Sequence, residues 1–267
     1  MIDLIKASLP ETVRSTLRRS AQWLTQKRTS GLSNVDCNRD LWNTYAQRWE
    51  KTKVTVENTA VSAQDRQSYI QCLGDEWGRL EDVERVVAEY IYPYIADKSL
   101  AAEIGSGGGR IASRVAPRVA HLHCFDISRE MLRKAQTALT GHRNVDFVLL
   151  ESAQLPATCT GMFDFVYSFD VFVHLDLHTM WKYFREIQRV LKTGGTAFLH
   201  TSNLMAPGGW MNFSAQDTFE IVNHYFISPE IVSILARQSG LKIIKTSTPD
   251  PTNFYLNRDY LFILKKD

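Results

Sequence analysis

Cysteine is scarce in this chain of 267 residues, and Cys37, Cys72, Cys124 and Cys159 stand far apart with no Cys-x-x-Cys pair. That spacing disfavours a zinc site and fits reduced thiols in a cytosolic protein. Long apolar runs are missing too: none reaches the ~18 residues that a membrane-spanning helix needs. The N-terminal stretch has neither the continuous apolar core nor the cleavage site of a secretory signal. A cytoplasmic protein is therefore expected. Charge of one sign is not in excess, since the formal net charge is only +2 and the body of the chain carries no basic stripe. No nucleic-acid partner is expected from such a balance. There is no internal repeat and no low-complexity tract. What is abundant is apolar surface: 44% of the residues are hydrophobic, enough for one large domain plus an appendage.

The most informative stretch is Ala101–Ala112, AAEIGSGGGRIA. The apolar run Leu100–Ile104 reads as a buried strand, and a helix is expected over Arg110–Val115. Between them lies Glu103-x-Gly105-x-Gly107-x-Gly109. Glycines without a Cβ let the backbone turn sharply and approach a ligand, and the helix N-terminus behind them offers free N–H groups. A dinucleotide fingerprint would put glycine three residues after Gly107, where this chain has Arg110. The next strand, Ala120–Phe125, ends in Asp126, 19 positions beyond Gly107. A carboxylate there can accept from both hydroxyls of a ribose. Ser128 suits a helix N-cap, with Glu130 in the first turn.

The acid-x-Gly-x-Gly-x-Gly turn, followed by Asp126-Ile127-Ser128-Arg129-Glu130-Met131-Leu132, resembles the class I S-adenosylmethionine-dependent methyltransferases. The likeness spans roughly residues 79–265 and continues through Glu151-Ser152-Ala153-Gln154-Leu155-Pro156, the strand Phe163–Ser168 and the passage Leu191-Lys192-Thr193-Gly194-Gly195. It implies a seven-stranded, mostly parallel, doubly wound α/β sheet with an antiparallel last strand. The cofactor implied is S-adenosyl-L-methionine. Its site would be formed by Glu103, Gly105, Gly107, Gly109, Asp126, Ile127, Met131, Glu151, Ser152 and Ser168. Ile127 and Met131 would touch the adenine ring, and Glu151 would accept from its amino group. Glu151 and Leu150 depart from the Asp and Gly usual at those two places. The stretch Ser168–Leu175 would run beneath the methyl group.

Around this domain (79–267) the remaining elements are expected as follows. Residues 1–78 form a helical N-terminal extension or lid. Within it, Ile2, Ile5, Leu9, Val13, Leu17, Ala21 and Leu24 recur at helical spacing, with Arg14, Arg18, Arg19, Lys27 and Arg28 on the other side. Such a helix packs on the domain or a partner, or lies on an anionic membrane surface. Gly31–Asp36 reads as a linker and Leu41–Lys51 as a helix whose Trp42, Tyr45 and Trp49 form an aromatic stripe, read as core. Lys53–Gln67 is polar, a flap. In Leu73–Gly78, Asp75 can cap the helix expected over Arg79–Tyr92, or Glu76 and Trp77 can face the cofactor or acceptor. A helix Leu177–Leu191 with glycine at its C-cap, a strand Thr196–His200, an aromatic-rich insertion Met205–Asn223, a helix Pro229–Ser239 and a final hairpin (Leu241–Thr248, Tyr260–Lys265) follow.

A hydroxyl acceptor needs a base poised near neutral pH. His174 is the first candidate, its imidazole neutral near its ordinary pKa. His200 and Asp170 come next, and His224 could line the acceptor pocket. His174-x-Asp176-x-His178 has the look of a chelate, but in a helix alternate positions point apart, so no metal is expected. The expected activity is O-methylation of a small hydroxylated, sugar-like or natural-product acceptor. Alternatives are N- or carboxyl-methylation of a small molecule or protein, and a scaffold that binds S-adenosylmethionine without turnover. A nicotinamide dehydrogenase is disfavoured by Arg110 and the antiparallel last strand.

Overall fold

The computed structural model describes residues 32–57, 70, 73–74, 78–216, 218–219 and 223–267, with 50–57 as backbone only. The amphipathic segment 2–28, most of the flap and the trio Asp75, Glu76 and Trp77 lie outside the described residues. A seven-stranded sheet in the order β3-β2-β1-β4-β5-β7-β6 forms the frame. Its strands are β1 (Leu100–Ile104), β2 (His121–Asp126), β3 (Val145–Leu149), β4 (Phe163–Ser168), β5 (Leu191–Ser202), β6 (Leu241–Thr246) and β7 (Asp259–Lys266). β1 to β5 run parallel, and β7 pairs antiparallel with both β5 and β6. This is the expected doubly wound α/β sheet with its last strand inserted antiparallel.

Strands buried on both faces should read as near-continuous apolar runs, because helices cover each side. β4 does so, with Phe163, Phe165, Val166 and Tyr167 all fully buried. One core layer packs β4 and β1 against α5 (Leu177–Val190) and α7 (Pro229–Gln238), through Phe184, Ile187 and Val232. The other packs the opposite face against α2 (Leu80–Tyr90), α3 (Ala112–Val115) and α4 (Arg129–Ala138), through Val83, Val87, Val115 and Ala135. The order reverses at β1: β2 lies on one side and β4 on the other, so a crevice opens beyond the carboxyl ends of these strands.

Several boundaries differ from the sequence reading. Helix α1 runs over Asn34–Glu57, taking in the end of the expected linker and the start of the flap. Ser33 starts it, its Oγ accepting from the Asp36 N–H at 3.2 Å, which is N-cap chemistry. α2 is shorter than expected, because Pro93 falls in a separate 3₁₀ turn, Tyr92–Tyr94. α3 begins two residues late, since Arg110 and Ile111 still belong to the glycine turn. Lys192–Gly195 is not a helix C-cap. α5 stops at Val190 and β5 starts at once with Leu191 beside Phe163, so Gly194, at φ +80°, serves an irregular strand start. Within the expected insertion, Pro207–Ser214 is a helix, α6. A short helix, α8 (Phe254–Arg258), lies between the two strands of the final hairpin and packs against α6. Among the described residues, no helix is long and apolar enough to cross a membrane.

Candidate active site

The crevice at the carboxyl ends of β1, β2 and β4 is the mouth of a pocket closed on one side by α1. Its floor is the glycine turn. Gly105 sits at φ +76°, and a Cβ there would lie 2.3 Å from Val171 Cγ2, so no side chain fits. Gly107, at φ +53°, meets nothing within 4 Å; a Cβ there would stand in open space on the pocket floor. The turn is held from below by β2: the N–H groups of Gly105 and Ser106 both donate to the Phe125 carbonyl, at 2.7 and 3.2 Å.

Asp126 closes one end. Its Oδ2 accepts from the Gly107 N–H at 2.8 Å and its Oδ1 from the Ser128 N–H at 2.7 Å. Each oxygen keeps a further lone pair for a ligand. Burial raises the Asp126 pKa to about 6, against the pull of those N–H donors. Ser128 caps α4 by accepting from Met131 N–H at 3.1 Å, as its position suggested. Glu103 is buried beneath the turn, and burial pushes its carboxyl well above the usual range.

α1 forms the wall facing the turn. Trp42 and Tyr45 line the pocket, edge to face with ring centroids 5.6 Å apart, while Trp49 stays in a small core with Leu73 and Met131. The stripe read as core is thus divided, two rings on the pocket and one behind it. Asn38 and Asn34 tie α1 to the floor by donating to the His174 carbonyl at 3.0 and 3.3 Å. Asn43 Oδ1 accepts from Ser128 Oγ and from the Glu130 N–H, giving α4 a second cap from another helix.

The opposite end carries the chemistry that follows β4. Asp170 lies at φ +57°, where residues other than glycine are uncommon. Three groups hold it there. Arg110 Nη2 donates to Oδ2 at 2.7 Å, Tyr255 Oη donates to the same oxygen at 3.2 Å, and the backbone N–H donates to His200 Nδ1 at 3.1 Å. Arg110 also reaches the Gly74 carbonyl at 2.8 Å. Burial opposes the Arg110 charge, but Asp170 and Tyr255 outweigh it and raise the pKa. His200 is fully buried behind Asp170, its Nε2 2.9 Å from Asp259 Oδ2. Asp259 in turn is gripped by Arg258, whose Nη2 donates at 2.6 Å and Nε at 2.8 Å. Burial works against the Asp259 carboxylate, yet Arg258 and His200 hold its pKa well below the ordinary value.

His174 sits in the 3₁₀ turn Phe172–His174, its ring edge-on to Trp42 at 5.1 Å and to His224 at 5.5 Å. Burial lowers its pKa to about 4, so the imidazole is neutral but far less basic than a free histidine. His224, partly buried beside it, is shifted well downward, desolvation again being the largest cause. Asp176 caps α5 through the Thr179 N–H at 2.7 Å, so it is no partner for His174 and His178 in a chelate. Among the described residues the one cluster with metal-ligand geometry is His121, His123 and Asp146, on β2 and β3 away from this pocket.

Of the residues expected at the cofactor, Glu103, Gly105, Gly107, Asp126, Ile127 and Met131 line this pocket, and so does His174. Gly109, Glu151, Ser152 and Ser168 are not on its wall. Gly109 backs onto Ala135 of α4, and Ser168 Oγ donates to the Ile104 carbonyl at 2.7 Å, joining β1 to β4. Glu151 and Ser152 are exposed beyond the end of β3, where Leu150 takes the wall position. Arg258, Tyr255 and the role of Asp170 as the hub of Arg110, Tyr255 and His200 had no short-range sequence signal. Arg110 stood out only as the residue that breaks the dinucleotide pattern. A nucleoside bearing a cationic sulfonium suits this wall: open space over Gly107, free carboxylate lone pairs at Asp126, and apolar contact from Ile127, Met131 and Leu150.

Residues 101–195 match a family model described as a methyltransferase domain. No match was found among curated proteins. The fold is similar to magnesium protoporphyrin IX methyltransferase of Synechocystis PCC 6803, solved with S-adenosylhomocysteine bound. Identity is 19%, with 86% of this chain and 98% of that one covered, at a TM-score of 0.62. It is also similar to a methyltransferase from Aquifex aeolicus (18% identity, 75% and 98% covered, TM-score 0.55). A third, from Methanosarcina mazei, is 18% identical over 66% of this chain and 96% of that one, with a TM-score of 0.53. The chain thus carries a methyltransferase domain and is similar in fold to S-adenosylmethionine-dependent methyltransferases.

Proposed function

We propose that this enzyme methylates an oxygen atom of a small, ring-bearing acceptor of natural-product type. The observation that carries the reading is the division of the pocket into two ends. At one, the glycine turn, Asp126, Ile127 and Met131 would hold S-adenosylmethionine, with Asp126 accepting from the ribose hydroxyls and Glu103 beneath the turn. At the other, Trp42 and Tyr45 offer ring faces and edges, while Asp170, His174, His224 and Arg258 supply the polar groups. Few polar groups on an aromatic wall suit a flat acceptor better than a freely hydrated sugar. The neighbour in Synechocystis, a porphyrin methyltransferase by name, also handles a large ring.

When bound, the cofactor supplies an already activated methyl group, so the protein's work is mostly alignment. Asp170 and its partners fix the floor under the acceptor oxygen, and α1 excludes water from above. A scaffold without turnover would not need a strained, three-way anchored Asp170 at the acceptor end. Incubation with tritiated-methyl S-adenosylmethionine and a fractionated extract of the source cells tests the proposal. The label should appear in a small molecule, on oxygen. Label on protein or on nitrogen, or binding without any transfer, would overturn it.

A further inference from the structure

Resting on the O-methylation reading, we propose that the acceptor atom enters as an oxyanion, the ionised oxygen of a carboxylate or phosphate, docked on Arg258. Arg258 closes α8 and lines the pocket. Its Nε and Nη2 are committed to Asp259, which is 0% exposed and thus a rigid anchor. Nη1 makes no hydrogen bond among the described residues, although the guanidinium is itself nearly buried, at 14% side-chain exposure. Phe254 packs under its plane at 4.5 Å. The result is a fixed cation with one edge of its N–H fork open to the cavity, the geometry that suits carboxylate and phosphate oxygens.

The neighbouring groups agree with that occupant. Asp170, the acid at this end of the pocket, is already neutralised by Arg110 and Tyr255. His174 and His224 stand beside each other as neutral rings, able to donate or accept but not to compete for the anion's charge. Asn212 Nδ2 lies 3.5 Å from His224 Nδ1. Nothing there is a strong base, and an ionised acceptor needs none. A lone pair of the anionic oxygen forms the new C–O bond while the methyl–sulfur bond breaks, its electron pair passing to sulfur. The negative oxygen and positive sulfonium cancel, giving a neutral methyl ester (or a phosphate ester one charge lower) and a thioether. No proton moves.

Two measurements test this. In the first, benzoate, phenyl phosphate and benzyl alcohol are titrated calorimetrically into the protein saturated with S-adenosylhomocysteine. At least one of the two anions should bind ten-fold or more tighter than the alcohol, and which one does so identifies carboxylate or phosphate as the source. Arg258→Met should erase the preference while keeping S-adenosylhomocysteine affinity within three-fold. If Arg258→Met does not fold, the wild-type comparison alone decides, and equal or tighter binding of the alcohol overturns the proposal. In the second, the tritiated product is treated with mild alkali. Release of labelled methanol identifies a carboxyl ester, and label retained on phosphate after alkali identifies the phosphate ester; both support docking of an oxyanion. An alkali-stable ether would overturn this inference and leave O-methylation standing, whereas label on nitrogen would overturn the O-methylation reading itself.

Discussion

Asp126 and His174 are both buried, both titrate away from their ordinary values, and have opposite consequences. The Asp126 carboxyl is raised to about 6, so it is half protonated in mildly acidic solution. If its carboxylate accepts from the ribose hydroxyls, cofactor affinity should fall as pH drops below about 6, approaching ten-fold per unit. Calorimetry between pH 5 and 7.5 that gave a flat dissociation constant would remove Asp126 from that role. Asp126→Ala should weaken binding by about 1.5–3 kcal/mol at pH 7, the scale of lost charge-assisted hydrogen bonds. His174 is lowered from 6.5 to about 4. Its unfolded form binds a proton that the folded form refuses, so stability is full above pH 6.5 and is lost as pH falls toward 4. The loss amounts to roughly 3 kcal/mol if the whole shift is expressed. His174→Ala should therefore cost less relative to wild type at pH 4.5 than at pH 7.5, read as a narrowing gap in melting temperature. Were His174 the base for a hydroxyl, the same variant would cut kcat by ~10²–10⁴ and remove an acidic limb near pH 4. With an ionised acceptor kcat should fall less than ten-fold.

At the scale of elements, α1 is the piece that makes a pocket out of a crevice. Trp42 and Tyr45 face the cavity from it, and Asn34, Asn38 and Asn43 reach across to the His174 carbonyl and the start of α4. Asn43→Leu should strip the Glu130 N–H and the Ser128 hydroxyl of their shared acceptor. That loss of a cap should cost about 1 kcal/mol and loosen the segment from Ser128 to Met131. Hydrogen exchange at Glu130 and Met131 should quicken; unchanged protection would mean α4 stands without α1.

The same scale shows what was legible from residues alone. The β1–glycine turn–α3 passage, Asp126 at the tip of β2, the Ser128 cap and the antiparallel hairpin were readable, because each is a local pattern whose physics acts over a few residues. The division of the Trp42, Tyr45 and Trp49 stripe was not, since helical spacing assigns residues to a face without naming what the face meets. Nor was the hub at Asp170. Its partners come from the glycine turn, from the end of β5 and from α8, and only the insertion of β7 beside β5 brings Tyr255 to it and sets Asp259, with Arg258, behind His200. The stretch 249–258, with two prolines and two asparagines, reads as loop until that strand order is known. Glu151 was read through the family likeness, and the exposed turn after β3 leaves its side chain off the wall.

For the whole molecule, the question is where the methyltransferase unit begins. A boundary between 78 and 79 was expected, with everything before it an extension or lid. The packing suggests an earlier one. Val35 belongs to the main core layer, and Ala46 and Trp49 bury Met131 and Ala138 of α4 together with Leu73. We therefore propose that the catalytic unit takes in α1. A chain lacking residues 1–31 should keep its melting temperature within about 3 °C, a shift that corresponds to about 1–2 kcal/mol in a domain of this size. It should bind S-adenosylmethionine as the full chain does. A chain lacking residues 1–57 should retain its far-ultraviolet circular dichroism per residue apart from the lost helix, because, among the described residues of α1, Val35 alone belongs to the two core layers that flank the sheet. Its cofactor affinity should fall at least ten-fold, since the Met131 wall and the His174 turn would lose the groups that hold them. Equal affinity in the two truncated chains would show that α1 is an appendage after all, and would return the boundary to residue 79.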